Sequence, residues 1–309
     1  MNIAFLFPGQ GSQLPGMLHT LPDHPVIART FDEVSEILGE DCRELDSEEA
    51  LHSTVSVQLA LLASGVAVAR VLVEEGLEPE AVAGMSAGAY PAAVASGALT
   101  LADAVRLIRE RAEMMVKLFP TGYGLSAVVG LDERQVTRLV QEAHSEETPV
   151  YVSNINAPRQ IVISGSSEGM DRVLGAARAC GARKTERLDV STPSHCPLLQ
   201  PVADALKKSL QSIRLQPPQM VYLGNVTGRA MRSADAISED LANNIAHGVR
   251  WYDMTAVLEE LGFRVFLEMP PGHVLSVLAK EAFPDVRTLA LGETSIRQAL
   301  RLVGQYSRN

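Results

Sequence analysis

The chain has 309 residues, 46% hydrophobic and 21% charged, the balance of an ordinary globular protein with room for one large domain or two unequal ones. Its net charge of -10 argues against a nucleic-acid binder. No apolar run is expected to span a bilayer, and the three cysteines, Cys42, Cys180 and Cys196, lack metal-ligand spacing and point to a reducing cytoplasm.

The opening MNIAFLFPGQG has no basic leader or small-residue cleavage site and reads as a first strand rather than a signal peptide. NIAFLF predicts a buried strand and PGQGSQLPG a tight loop after it. FPGQGSQ lacks the Gly-Lys-Ser/Thr of a P-loop, so nucleotide binding is not expected. It is either a plain turn or the source of a backbone N–H, at Gln10, that completes an oxyanion hole with Ala87. VSVQLALLASGVAVARVLVEEG has helical length and stops at Gly76, AVAGMS is a short strand, and AGAYPAAVASGA is a helix weakened by Pro91 and Gly97. TLADAVRLIRERAEMMVKLF is a strong helix with Thr100 and Asp103 as a capping box. This β/α alternation predicts a parallel α/β sheet.

From residue 124 the pattern changes. GLSAVVGL predicts a strand, DERQVTRLVQEAH a helix with an Asp N-cap, and VYVSNINA with RQIVISGS a hairpin around Pro158. SEGMDRVLGAARACG is a helix closed by Gly181, and RKTERLDV is a last strand. The order βαββαβ is that of a ferredoxin-like unit, placed at 123–191 as an insertion into a large α/β domain of residues 1–122 and 192–309. STPSHCPLLQPVADALKKSL then predicts a helix whose start is marked by Ser194 and Pro197, and FRVFLEMPPGHVLSVLAKEAF a strand, loop and helix.

Ser86 sits in Gly84-Met85-Ser86-Ala87-Gly88, between a strand and a helix. Gly-x-Ser-x-Gly in that context is the nucleophile-elbow pattern, with the helix N-terminus offering N–H groups to an oxyanion. The plainer reading is a serine that caps the helix. A nucleophilic serine needs a base. Of seven histidines, His195 stands at the start of a predicted helix, where the dipole favours neutral imidazole, and His273 lies late in the chain, as in an α/β-hydrolase triad. Arg111 falls in the middle of the apolar stripe formed by Ala104, Leu107, Ile108, Met114, Met115 and Leu118. A charge there is either half of an internal ion pair, a side chain that snorkels out, or a guanidinium held for an anionic ligand.

Together these pieces resemble the malonyl-CoA:acyl carrier protein transacylase family over nearly the whole chain. FPGQGSQ, GMSAGAYPAAVASGALTLADA, SNINAPRQIVISG, PSHCPLL, NNIAHGVRW and LEMPPGHVL are similar to its motifs and stand in its order. The resemblance implies an α/β-hydrolase-like large domain with a ferredoxin-like insertion, Ser86 as nucleophile, His195 as base and Arg111 as the malonyl carboxylate clamp. It further implies that the backbone carbonyl of Asn244, where the family usually has Gln, orients the histidine. Malonyl-CoA and an acyl carrier protein are the implied partners, with no metal, redox cofactor, nucleic acid or membrane. Met85 stands where the family usually has His, and Ala89 where it usually has Glu. These departures and the compact PGMLHTLPDHP look like the malonyl transferase subunit of bacterial malonate decarboxylase, with fatty-acid or polyketide synthesis as the alternative. A thioesterase or hydrolase is the more distant alternative from the same residues.

Overall fold

The computed structural model describes residues 2–306. β1 (Ile3–Phe7) is followed by α1 (Pro25–Leu38), α2 (Thr54–Glu74), β2 (Ala81–Gly84), α3 (Ala89–Ala95) and α4 (Leu101–Leu118). Then come β3 (Tyr123–Val129), α5 (Glu133–Ala143), β4 (Val150–Ala157), β5 (Gln160–Ser166), α6 (Ser167–Ala179) and β6 (Lys184–Arg187). The chain continues with α7 (Gln200–Gln211), β7 (Val221–Leu223), β8 (Ala230–Met231), α8 (Ala234–Asn243) and α9 (Trp251–Glu260). β9 (Val265–Glu268), α10 (Val274–Ala282), β10 (Arg287–Ala290) and α11 (Ile296–Tyr306) complete it.

Two sheets result. The first runs β10-β9-β1-β2-β7-β8, with every pair parallel except β7 and β8. Both of its faces are covered, as a parallel sheet requires. Phe5 and Phe7 of β1 join the core beneath α1 to α4, while Ala4 and Leu6 join Trp251, Leu258 and Leu275 on the other side. The second sheet runs β4-β5-β3-β6, all antiparallel, with α5 and α6 packed against it through Val136, Leu139, Val173 and Leu174. The mixed α/β class and the ferredoxin-like strand order are therefore as the sequence pattern predicts.

Three local expectations need correction. By length and composition α2, with 21 residues, is apolar enough to cross a membrane, against the sequence expectation. It is a core helix: 83% of that stretch is buried inside the protein, against α1, α3 and α4. A helix apolar on every side is what full enclosure demands. At α4 the Thr100 hydroxyl accepts from the Asp103 N–H, but the Asp103 carboxylate returns to the Thr100 hydroxyl and not to its backbone, so the box is incomplete. The complete box is at α5, between Asp132 and Gln135. Finally, the helix expected near Ser194 begins as an α-helix only at Gln200, after a single 3-10 turn from Pro197.

The register levels Phe7 with Gly84 and Leu6 with Glu268, so the loops after β1, β2 and β9 leave the sheet at one edge. Strands flank β1 on both sides there, the position at which open α/β sheets bind ligands. The glycines of the Gly-x-Ser-x-Gly turn serve proximity rather than unusual φ. A Cβ on Gly84 would lie 2.0 Å from the Gly88 carbonyl oxygen, and one on Gly88 would lie 2.2 Å from the Phe7 carbonyl oxygen. Because those neighbours are backbone, Gly88→Ala should lose about 3 kcal/mol or more of stability. Equilibrium urea unfolding checks this, and a wild-type midpoint would contradict the close-approach account.

Candidate active site

Ser86 and His195 are the only non-glycine residues with positive φ among those described, at 56° and 63°. Such backbone costs on the order of 1–3 kcal/mol each and persists only where the surroundings enforce it. Here the two strained residues face each other. His195 Nε2 lies 2.7 Å from Ser86 Oγ, across 109 positions of sequence. His195 Nδ1 lies 2.5 Å from the Asn244 carbonyl oxygen. A neutral imidazole satisfies both contacts, with Nδ1–H donating to Asn244 and Nε2 accepting the Ser86 hydroxyl. The Asn244 side chain takes no part: it is fully buried and neither amide atom has a partner.

The imidazole is neutral for a reason other than the expected helix dipole. His195 lies in a left-handed loop position five residues before α7, held by its N–H on the Ile245 carbonyl at 2.7 Å. Burial, and next to it the Arg111 cation, push its pKa down to about 3. The rival His273 is half exposed and pairs with Glu293 at 2.6 Å. It caps no catalytic group, although Val274 and Leu275 after it line the site.

Arg111 is 1% exposed, and no carboxylate lies within ion-pair distance of it among the described residues. The snorkelling and ion-pair readings therefore both fail. Nη1 donates to Gln58 Oε1 at 2.6 Å, Nη2 reaches Ser86 Oγ at 3.2 Å, and Nε has no partner. Burial pushes its pKa down to about 10, which leaves it a cation at neutral pH. Gln58 also donates to Gln10 Oε1 at 3.3 Å, tying the guanidinium to the first loop.

These groups open into a cavity of about 220 Å³ between the two sheets. Gly9, Gln10, Gln58, Met85, Ser86, Arg111 and His195 form one wall. Asn154, Asn156, Gln160 and Leu125 of the second sheet, with Val190 of the segment after β6, form the other. Ala87 is buried directly after Ser86, and Ala89 is buried outside the cavity lining. Of the residues marked in the sequence, Ser86, His195, Arg111, Asn244 and Gln10 thus come to one place. Two more carry no such mark. Gln58 has as its only signal a polar side chain inside the apolar run of α2. Asn225 accepts the Ser86 N–H at 2.8 Å from a loop that reads as an ordinary turn.

The arrangement is a hydroxyl, a neutral base and an unbalanced cation within one hydrogen-bonded group, which is equipment for covalent transfer of an anionic acyl group. The acyl transferase domain family matches residues 4–309. The malonyl CoA-acyl carrier protein transacylase of Escherichia coli K12 is 36% identical over 304 residues, covering 96% of this chain and 98% of that protein. That of Bacillus subtilis strain 168 is 36% identical over 315 residues, covering 100% and 99%. The solved malonyl CoA-acyl carrier protein transacylase of Coxiella burnetii superposes with a TM-score of 0.94 at 34% identity, covering 99% of this chain and 98% of that one. A malonyl-transacylase solved with a type II polyketide acyl-carrier protein gives 0.92 at 36% identity and full coverage of both chains.

The folded His195 pKa of about 3 lies below the ordinary 6.5, so between those values the unfolded chain takes up a proton that the folded one refuses. Stability from this group is complete above about pH 6.5 and declines as pH falls toward 3. Thermal melting should show that decline, shallower in His195→Asn, which keeps a side chain that tolerates left-handed φ. The rate of Ser86 acylation should stay level from pH 7 to about 5. A rate that halves near the ordinary histidine value would show that burial does not depress the His195 pKa in this site.

Proposed function

The chain belongs to the acyl transferase family, and on that premise we propose that it moves a malonyl group from malonyl-CoA to the prosthetic-group thiol of an acyl carrier protein through a malonyl ester on Ser86. The observation that carries this reading is Arg111, a buried cation without a counter-charge whose Nη2 lies 3.2 Å from Ser86 Oγ. Gln58 occupies Nη1, which leaves the Nε and Nη2 edge for a carboxylate in the two-bond geometry that guanidinium favours. A malonyl group joined to Ser86 places its free carboxylate within that reach.

His195 Nε2 takes the Ser86 proton as Oγ attacks the thioester carbonyl. The Ser86 N–H is occupied by Asn225, so the oxyanion falls to the N–H groups of Gln10 and Ala87. Collapse expels the CoA thiolate, which recovers the proton from His195. The carrier thiol then gives its proton to His195 and attacks the ester, and Ser86 leaves with that proton. The chemistry balances with the chain's own residues and the two substrates.

The acceptor is read as a carrier of fatty-acid or polyketide type; in support, the similar proteins are named malonyl CoA-acyl carrier protein transacylases, and one is solved with a type II polyketide acyl-carrier protein. The malonate decarboxylase carrier, favoured by the sequence pattern, is the second reading and rests on the compact PGMLHTLPDHP, on Met85, which lines the cavity, and on Ala89. We read residues 123–191 as the inserted unit and the remainder as the catalytic one. The unpaired state of Cys42, Cys180 and Cys196 accords with a cytoplasmic setting.

Intact mass after malonyl-CoA should show one added malonyl group on the wild type and none on Ser86→Ala. A full adduct on the alanine variant would overturn the nucleophile. Offering the acylated enzyme both carriers at equal concentration then ranks the acceptors, and faster discharge onto the decarboxylase carrier would make that carrier the first reading. Hydrolysis of malonyl-CoA that outruns transfer would move the chain to the hydrolase class.

Arg111→Ala should lower kcat/KM for malonyl-CoA about a hundredfold or more, because truncation leaves the substrate carboxylate buried and unpaired. Acetyl-CoA, which has no carboxylate, should lose far less. Arg111→Lys should recover only part of the activity. An unchanged malonyl-to-acetyl ratio in Arg111→Ala would sink the clamp.

A further inference from the structure

Asn225 lies in the loop after β7 and is fully buried. Its side chain brackets the elbow: Oδ1 accepts from the Ser86 N–H at 2.8 Å, and Nδ2 donates to the Gly84 carbonyl at 2.9 Å. Both bonds land on the strained turn, one on each side of Met85. Asn225 is itself held. Its N–H and that of Val226 donate to the two carboxylate oxygens of Asp240 at 3.0 and 2.9 Å, and its carbonyl accepts from the Arg250 N–H at 2.9 Å.

Asp240 sits on α8 and is 3% exposed. Its backbone carbonyl accepts from the Asn244 N–H at 2.8 Å, and the Asn244 carbonyl receives His195 Nδ1. One residue of α8 therefore connects to both halves of the reacting pair. Through its carboxylate and Asn225 it reaches the Ser86 backbone, and through its own carbonyl and Asn244 it reaches the imidazole. A buried aspartate with no cation beside it in the described ion pairs is costly unless it serves such a network.

We propose that Asn225 and Asp240 form a positioning brace that holds Ser86 in its left-handed conformation, aims Oγ at His195, and withdraws the Ser86 N–H from the oxyanion donors. Neither residue touches the reacting atoms. The brace rests on the reading of Ser86 as nucleophile and is independent of which acyl group is carried. Without Asn225, the Ser86 N–H and Gly84 carbonyl lose their partners and the turn relaxes away from positive φ. The hydroxyl then leaves attack geometry while the substrate pocket, lined by other residues, stays in place.

The test compares wild type, Asn225→Ala, Asp240→Asn and the double variant, each checked for folding by circular dichroism. Two readouts are used: acylation by malonyl-CoA, and labelling by a fluorophosphonate. In labelling, Ser86 Oγ bonds to phosphorus, fluoride leaves and His195 takes the proton, so serine reactivity is read without any malonyl group. Asn225→Ala should slow both by about ten- to a hundredfold, with KM for malonyl-CoA within about twofold of wild type. Asp240→Asn, nearly isosteric, should slow both by a smaller factor. The double variant should be no slower than Asn225→Ala, because Asp240 acts through Asn225. Wild-type labelling in a folded Asn225→Ala, a loss confined to KM, or losses that multiply in the double variant would overturn the brace. If Asn225→Ala does not fold, Asp240→Asn decides alone, and its labelling at the wild-type rate would overturn the proposal. Labelling that responds as expected in a protein that malonyl-CoA fails to acylate would keep the brace and remove the malonyl reading.

Discussion

A guanidinium buried without a counter-ion is the constraint around which this site is arranged. Desolvating such a group is expensive, and the described structure offers Arg111 only a neutral amide, a thioether and a hydroxyl. The neighbouring groups follow from that. His195 stays neutral because it is buried and because a second cation beside Arg111 is disfavoured. Gln58 bonds both Nη1 and Gln10, so the helix α2 and the first loop are fixed relative to α4. The missing negative charge is the one that the proposed malonyl group would bring.

His195 is held without a carboxylate partner. Nδ1 is held by a backbone carbonyl, which fixes the tautomer as an aspartate does but adds no charge. The bond belongs to the main chain of Asn244, whose buried side-chain amide has no partner of its own. It also suits a site that already contains one uncompensated cation. An aspartate at that place would neutralise part of the field that Arg111 sets up in the cavity.

Strain is concentrated where the two sheets meet. Ser86 and His195 hold positive φ on opposite sides of one hydrogen bond, and the segment that carries Asn244 runs on to pair with β4 through Val249, Ser153 and Ile155. The second sheet is thus fastened close to His195, and its Asn154, Asn156 and Gln160 line the cavity that holds Ser86. Conformations that cost energy locally are maintained by backbone hydrogen bonds and close approach, such as the contact of Gly88 with the Phe7 carbonyl.

The sequence by itself determined the order of the elements around the motifs, the parallel and antiparallel halves, and the residue types of the site, because those depend on local periodicity and on short motifs; α1, β7, β8, α8, α9, β10 and α11 emerged only in the structure. Ser86 was marked by its two glycines, and Arg111 by its place in an apolar stripe, both properties of a few neighbouring residues. From its own neighbours His195 was one of two rivals with His273, and only the likeness of PSHCPLL to a family motif singled it out. The tertiary structure then shows the pairing directly, bringing residues 109 apart to 2.7 Å. It also reversed the reason for the neutral imidazole, from a helix dipole to burial beside a cation, because the helix starts later than its Ser and Pro signals suggest. Asn225 and Asp240 carried no distinguishing mark, and Gln58 only that of a polar residue in an apolar run, for a hydrogen bond across 53 or 139 positions leaves no periodicity in the chain. The fate of α2 was decided the same way: its composition fits a bilayer as well as a protein core, and only the helices packed around it distinguish the two.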